Sequence, residues 1–412
     1  MEADTANSAT TSWPSAPPHD FGTSPTSLGK LDAADLDAEV SPNFWRCARW
    51  CSDGSAILSA TEDRTLRVHA TSEAIPSAID TKSHKQPDAI HSTLWYSSAS
   101  ALNPPTFCYM ASIRDAPVRL IDANDGRIRA TYPIVDHRER FIAPHSMAFN
   151  ATSSKLYCGF ENAIEVFDVA TPGYNSSERL KIAFTRREKG GQKGIVSALA
   201  FMPDYSGTFA AGTFSGSVSL YSEDTGAAPV AHVDGVQGGG VTQLAFHPLN
   251  PQTIFVASRR SQQIQVFDVR DLSRPVAALE RPGSSNQRLW FDVDPWGRWL
   301  ASGDESDLSK PVLREKLHND AVGSVQFHPF QPLLLTCSGS RTCLGDVIDS
   351  DDSSDSGQQS SNDEESEDDS NSTQKDRSRK TTPKKPSRLV DSTLKIWSTT
   401  SSNTDGLEAT SS

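Results

Sequence analysis

No run of the sequence reaches the roughly 20 apolar residues that a membrane-crossing helix needs. The Ser-, Thr-, Pro- and Ala-rich N-terminus also lacks the apolar core of a secretory leader. Cysteine is scarce: six residues, at 47, 51, 108, 158, 337 and 343, with no Cys-x-x-Cys and no regular spacing. That argues against a disulfide framework and gives no zinc signal. Cys108, Cys158 and Cys337 fall in apolar runs, where a thiol behaves as a small hydrophobe. These absences lead to the expectation of a soluble, intracellular protein in a reducing compartment. A surplus of cations is missing as well. Of the formal charge of −13, about −6 falls in 1–43 and about −5 in 346–388, leaving 44–345 close to neutral. Without an overall cationic field, any anion site must be a local patch.

Catalytic signatures are also lacking. Gly212-Thr213-Phe214-Ser215-Gly216 places its serine one position too late for G-x-S-x-G, in a strand–turn–strand context. There is no P-loop, and Gly238 to Gly240 precede a strand, so they read as a turn rather than a phosphate cradle. Ten histidines give no HExxH. His247 and His328, each in Phe-His-Pro, close first strands and read as structural. The expectation is a protein that is not an enzyme, with no metal, no cofactor, no membrane and no small-molecule substrate.

What the chain does hold is a repeated β-pattern. The stretch 238–270 contains three short runs of β-branched and aromatic residues, at 241–246, 253–257 and 264–269, separated by turn residues. A unit of this kind recurring every ~40–50 residues builds a radial stack of small sheets, a β-propeller. Seven such repeats are read, at 44–70, 94–126, 145–169, 194–222, 238–270, 287–305 and from 322 onward. Repeat 6 has no third strand after Ser302-Gly303-Asp304, which marks either a degenerate blade or a lost segment. Repeat 7 resumes only at 392–397, beyond a long insert.

Residues 1–40 are expected to be disordered, with a ring-closing strand near their end, at His19-Asp20-Phe21 or just before Phe44. The propeller occupies 41–345 and its last strand lies in 389–398. The intervening 346–388 reads as a disordered insert, acidic and serine-rich and then basic, and 399–412 as a disordered tail. The acidic half is suited to phosphorylation; the basic half reads equally as a nuclear-import signal or a charge-balancing linker.

Function is then expected in the loops on the end faces. Arg114, Lys193, Arg259 and Arg288 sit in such turns, with Phe44 and Phe160 nearby and His145 opening repeat 3. Arginine forks hold phosphates, and aromatic rings stack on unpaired bases. Solvated turns and core aromatics are the alternative reading of each.

Several stretches resemble the telomerase Cajal body protein family of WD-repeat proteins. They are FWRCARWCSDGSAILSATEDRTLRV, ASIRDAPVRLIDANDGRIRATY, APHSMAFN with KLYCGFENAIEVFD, GQKGIVSALAFMP, GGGVTQLAFHP and NQRLWFDVDPWG. The resemblance runs from about Phe44 to Trp397. It implies an all-β, seven-bladed WD-repeat β-propeller with a disordered N-terminus and a disordered insert in the last blade. It further implies a nuclear protein, in Cajal bodies or their equivalent, that binds a loop motif of small nuclear or Cajal-body RNAs, telomerase RNA among them. Such a protein directs ribonucleoprotein localisation or assembly together with RNP proteins. By motif, Phe44 matches the aromatic opening the first blade, Arg259 the arginine after the second strand of the fifth, and Arg114, Lys193 and Arg288 the signature loops. The family's Gly-His before the fifth repeat is Gly235-Val236 here. The competing expectation is a WD scaffold that binds only proteins, for instance on spliceosomal snRNPs.

Overall fold

A computed structural model describes residues 15–36, 43–71, 81–174, 177–183, 191–281, 283, 285–303, 313–340 and 391–400. These belong to one unit, 1–340 together with 390–412. The insert at 346–388, the first fourteen residues and 401–412 lie outside the described residues, as do the expectations attached to them.

Each repeat folds as an antiparallel sheet with strands in chain order. In repeat 5, Val241–Phe246, Thr253–Ser258, Gln263–Asp268 and Ala277–Glu280 pair in succession. Burial explains the composition of each position. Second strands lie between neighbouring sheets, so Ala56–Thr61 and Cys108–Ile113 are buried at every residue and read as continuous apolar runs. The outermost strand, Ala277–Glu280, is exposed throughout.

Near the axis, neighbouring sheets are pinned by hydrogen bonds between their first strands. Ser146 Oγ donates to the Val196 carbonyl at 2.9 Å, Ser197 Oγ to that of Val241 at 2.6 Å, and the Ala48 N–H to Ser324 Oγ at 3.1 Å. The last of these joins repeat 7 to repeat 1. The Phe-His-Pro histidines pin the other end. His328 packs on Gly54 of repeat 1 and His247 on Gly297 of repeat 6, so close that an added Cβ would lie 2.0 or 2.1 Å from the imidazole. His247 Nδ1 accepts from the Leu249 and Asn250 N–H groups, and His328 Nδ1 from those of Phe330 and Gln331.

Among the described residues, six sheets have four strands and one has two. The expectation of seven blades is therefore corrected to six complete blades. Among the described residues repeat 6 contributes Phe291–Val293 and Leu300–Ser302, and no alternating apolar segment follows Ser302-Gly303 in the sequence.

Repeat 7 runs Val322–Phe327, Leu333–Ser338 and Thr393–Ser398, and its fourth strand is the N-terminal Thr26–Asp32. Lys30 pairs with Lys395 and Leu31 with Leu394. The N-terminal segment thus lends a strand to the last sheet, at a position between the two segments considered for ring closure. Most of its side chains are exposed, so backbone pairing holds it, helped by Leu31 and Ala33 packing with Trp45 and Leu394. His19 to Phe21 pack as a strap instead. Phe21 lies 4.9 Å from the Trp299 ring, Arg298 donates to the Pro17 carbonyl at 2.7 Å, and His19 Nδ1 is 2.7 Å from Thr399 Oγ1. A buried polar chain locks the strand beyond the insert. Trp397 Nε1 donates to Thr336 Oγ1 at 2.8 Å, which meets His318 Nε2 at 2.7 Å; His318 Nδ1 lies 3.0 Å from Thr393 Oγ1.

Candidate nucleic-acid interface

First and second strands are antiparallel, so the residue before the first strand and the residue after the second meet at one end of a sheet. Ile90 opposes Ile113 and Val241 opposes Ser258 in this way. Phe44, His145, Lys193 and Arg288 precede first strands, Arg114 and Arg259 follow second strands, and Phe160 ends one. All seven candidates thus lie at the same end of their sheets.

Three of them converge at the axis. Arg259 Cζ lies over the Phe214 ring at 3.9 Å from its centroid, and Arg288 Cζ over Trp290 at 5.0 Å. His145 stacks on His91 at 4.7 Å and meets the Phe214 edge at 5.9 Å. Arg49, from the first strand of repeat 1, lies over Trp290 of repeat 6 at 4.1 Å. Arg288 also donates to the Ser197 carbonyl of repeat 4 at 3.1 Å. Contacts between non-neighbouring repeats are made across the central channel, so these side chains line its mouth. Repeats 1 to 5 contribute one each and repeat 6 contributes two.

The turns are shaped for this approach. Gly240 has φ +114° and lies so close to the Phe214 backbone that a Cβ would sit 2.3 Å from the Phe214 carbonyl oxygen. Its carbonyl accepts the Arg259 N–H at 3.0 Å, setting the arginine turn beside the ring. Gly240 therefore serves packing between repeats 4 and 5, while Gly238 and Gly239 lie against Ser258 to Ser261 of repeat 5 itself.

Electrostatically the cluster is short of anions. None of Arg49, Arg259 and Arg288 forms an ion pair among the described residues, and Arg259 Nε is buried without a hydrogen-bond partner. Burial, and then repulsion from Arg49, pushes the Arg288 guanidinium down to about 10. Burial, followed by His91, Arg288 and Arg259, holds His145 down at about 4, a neutral imidazole at pH 7. The nearby carboxyl is Asp292, which burial pushes up to about 7; its Oδ2 accepts the Phe327 N–H at 2.9 Å. Half-buried guanidiniums with unspent donors can take phosphate oxygens or the edges of bases.

The remaining four candidates stand apart. Phe44 is 6% exposed and packs against Gly339. Phe160 is 5% exposed, in the core with Met147 and beneath Arg179 at 5.2 Å. Both rings are buried here. Arg114 is exposed and within 4.0 Å of Asp88. Lys193 is exposed on the rim, its carbonyl accepting from Ser215 Oγ at 2.6 Å. Arg49, His91 and Phe214 escaped the sequence reading. The available signal was alternation along Trp45–Trp50, which sets Cys47 and Arg49 opposite to the buried Ala48 and Trp50.

Repeating four-stranded sheets around a channel, with the His318–Thr336–Trp397 lock, define a WD-repeat β-propeller of the scaffold class. The profile of the WD domain, G-beta repeat, matches residues 309–344. Telomerase Cajal body protein 1 of Mesocricetus auratus is 33% identical over 325 residues, covering 73% of this chain and 59% of that protein. The Homo sapiens protein of the same name is 33% identical over 322 residues, 73% of this chain and 57% of that protein. Guanine nucleotide-binding protein negative regulator 1 of Schizosaccharomyces pombe is 30% identical over 325 residues, 73% of this chain and 80% of that protein. The chain belongs to the telomerase Cajal body protein family of WD-repeat proteins. It spans under two thirds of the length of the two mammalian relatives.

Proposed function

We propose that this propeller binds a single-stranded loop of a small nuclear RNA at the arginine-lined end and escorts the ribonucleoprotein in the nucleus. One observation carries the reading: Arg49, Arg259 and Arg288 meet Phe214, Trp290 and His145 at one channel mouth without carboxylate partners. Phosphate contacts position the strand and base contacts specify it. Lys193 and Arg114 on the rim extend the electrostatic reach of the same end. The names of the mammalian relatives tie them to telomerase and the Cajal body, which fits a nuclear RNP role here.

The test is cross-linking of the tagged protein in nuclei, followed by sequencing of the attached RNA. Enrichment of small nuclear or telomerase RNA at one short loop is the expected result. Background RNA alone, with RNP proteins still co-purifying after nuclease, would overturn it in favour of a protein scaffold. That second reading has its own support at the opposite end. There Leu102, Tyr205, Leu249 and Phe330, all exposed, tip the turns between first and second strands.

A further inference from the structure

Arg49 and Arg288 come from repeats 1 and 6, yet both lie over one indole, that of Trp290, at 4.1 and 5.0 Å. Arg259, from repeat 5, covers Phe214 at 3.9 Å. Three guanidiniums are thus held on aromatic supports at the channel mouth. Among the described residues none of the three has a carboxylate within ion-pair distance, and the acidic group near Arg49 is Asp292. A half-buried cation cluster of this kind costs stability unless a multivalent anion enters it. Among the described residues the Arg288 guanidinium donates to the Ser197 carbonyl, leaving most of its five donors for a ligand. Rings already covered by guanidiniums are less free to stack on bases, so the wall is better suited to oxyanions than to nucleobase faces.

We propose that the channel mouth is a phosphate seat: one phosphodiester of the bound RNA turns into the channel and is held by the Arg49 and Arg288 guanidiniums, with Arg259 closing the third side. The seat rests on the RNA-binding reading above and goes beyond it by placing the principal phosphate contact inside the channel, with Arg49 as a contact residue. Asp292, the acidic neighbour of Arg49, opposes anion entry when ionised.

The test uses the purified full chain and a fluorescein-labelled eight-nucleotide single-stranded RNA read by anisotropy, with inorganic pyrophosphate as competitor. Arg49→Gln and Arg288→Gln should each weaken RNA binding about tenfold, the loss of one charge-assisted contact. Pyrophosphate should displace the RNA from the wild type at lower concentration than from either variant. Asp292→Asn should tighten binding at pH 8, a readout that stands if an arginine variant fails to fold. Arg127→Gln, at the opposite end, should match the wild type. Equal RNA affinity in wild type, Arg49→Gln and Arg288→Gln, with normal melting curves, would overturn the seat and leave the RNA reading intact. A wild type that binds no RNA, yet takes up pyrophosphate in calorimetry unless Arg49 is replaced, would keep the seat and remove the RNA reading. Binding of neither would remove both.

Discussion

Phe44 and Arg259 illustrate how two side chains at one end of the propeller fail in different ways. Phe44 is buried against Gly339, so Phe44→Ala should cost about 3–5 kcal/mol and lose RNA only through unfolding. Arg259 carries an unspent buried Nε and is repelled by Arg260. Arg259→Glu should therefore leave the melting temperature nearly unchanged while RNA affinity falls about tenfold or more. Thermal melts run beside anisotropy separate the two, and a cooperative loss of fold in Arg259→Glu would remove that residue from the site. His69 gives a pH prediction at the same scale. It sits between Ser59 Oγ and Thr81 Oγ1, each at 2.8 Å, and burial, with Arg67 behind it, holds its imidazole down at about 3. The unfolded side chain titrates near 6.5, so the unfolded state binds the proton first. Stability from the neutral ring is present above pH 6.5 and is lost as pH falls toward 3. Urea midpoints at pH 7.5 and 5 should differ less in His69→Asn than in the wild type; an unchanged difference would exclude His69 as a source.

The strands divide into those whose side chains announce them and those held mainly by backbone pairing. Second strands such as Cys108–Ile113 are buried on both faces, and their apolar runs give the repeat away in the sequence. The short sheet of repeat 6 was legible for the same reason, as a missing pattern after Ser302-Gly303. Thr26–Asp32 was not legible at its position, because it is an outer strand with mostly exposed side chains and only Leu31 buried. At the site, Arg259, Arg288 and His145 could be found from their positions beside strand ends. Arg49 could not, because alternation separates two faces of a first strand without saying which faces the channel. Closure depends on that inconspicuous outer strand. Deleting residues 15–32 should bare the edge of Thr393–Ser398 and leave its N–H and C=O groups open to intermolecular pairing. Light scattering should then rise on warming well below the wild-type transition, while a monomeric, equally stable product would mean that strand is dispensable.

Across the whole molecule the two ends carry different chemistry, and they should respond differently to salt. The arginine end gathers three guanidiniums without carboxylate partners among the described residues, whereas Leu102, Tyr205, Leu249 and Phe330 are exposed at the other. Neutralising the one seated phosphodiester of a single-stranded RNA should contribute about −0.7 to the log–log salt slope of binding. Arg49→Gln should make that slope shallower. A protein partner on the apolar turns would follow buried area instead and change little with salt. Tyr205→Asp with Leu249→Asp should therefore release nuclease-resistant RNP proteins and leave RNA anisotropy unchanged, while Arg259→Glu does the reverse. If either variant removes both classes of partner from a folded protein, RNA and protein do not occupy separate ends, and the escort mechanism must run through a single shared surface.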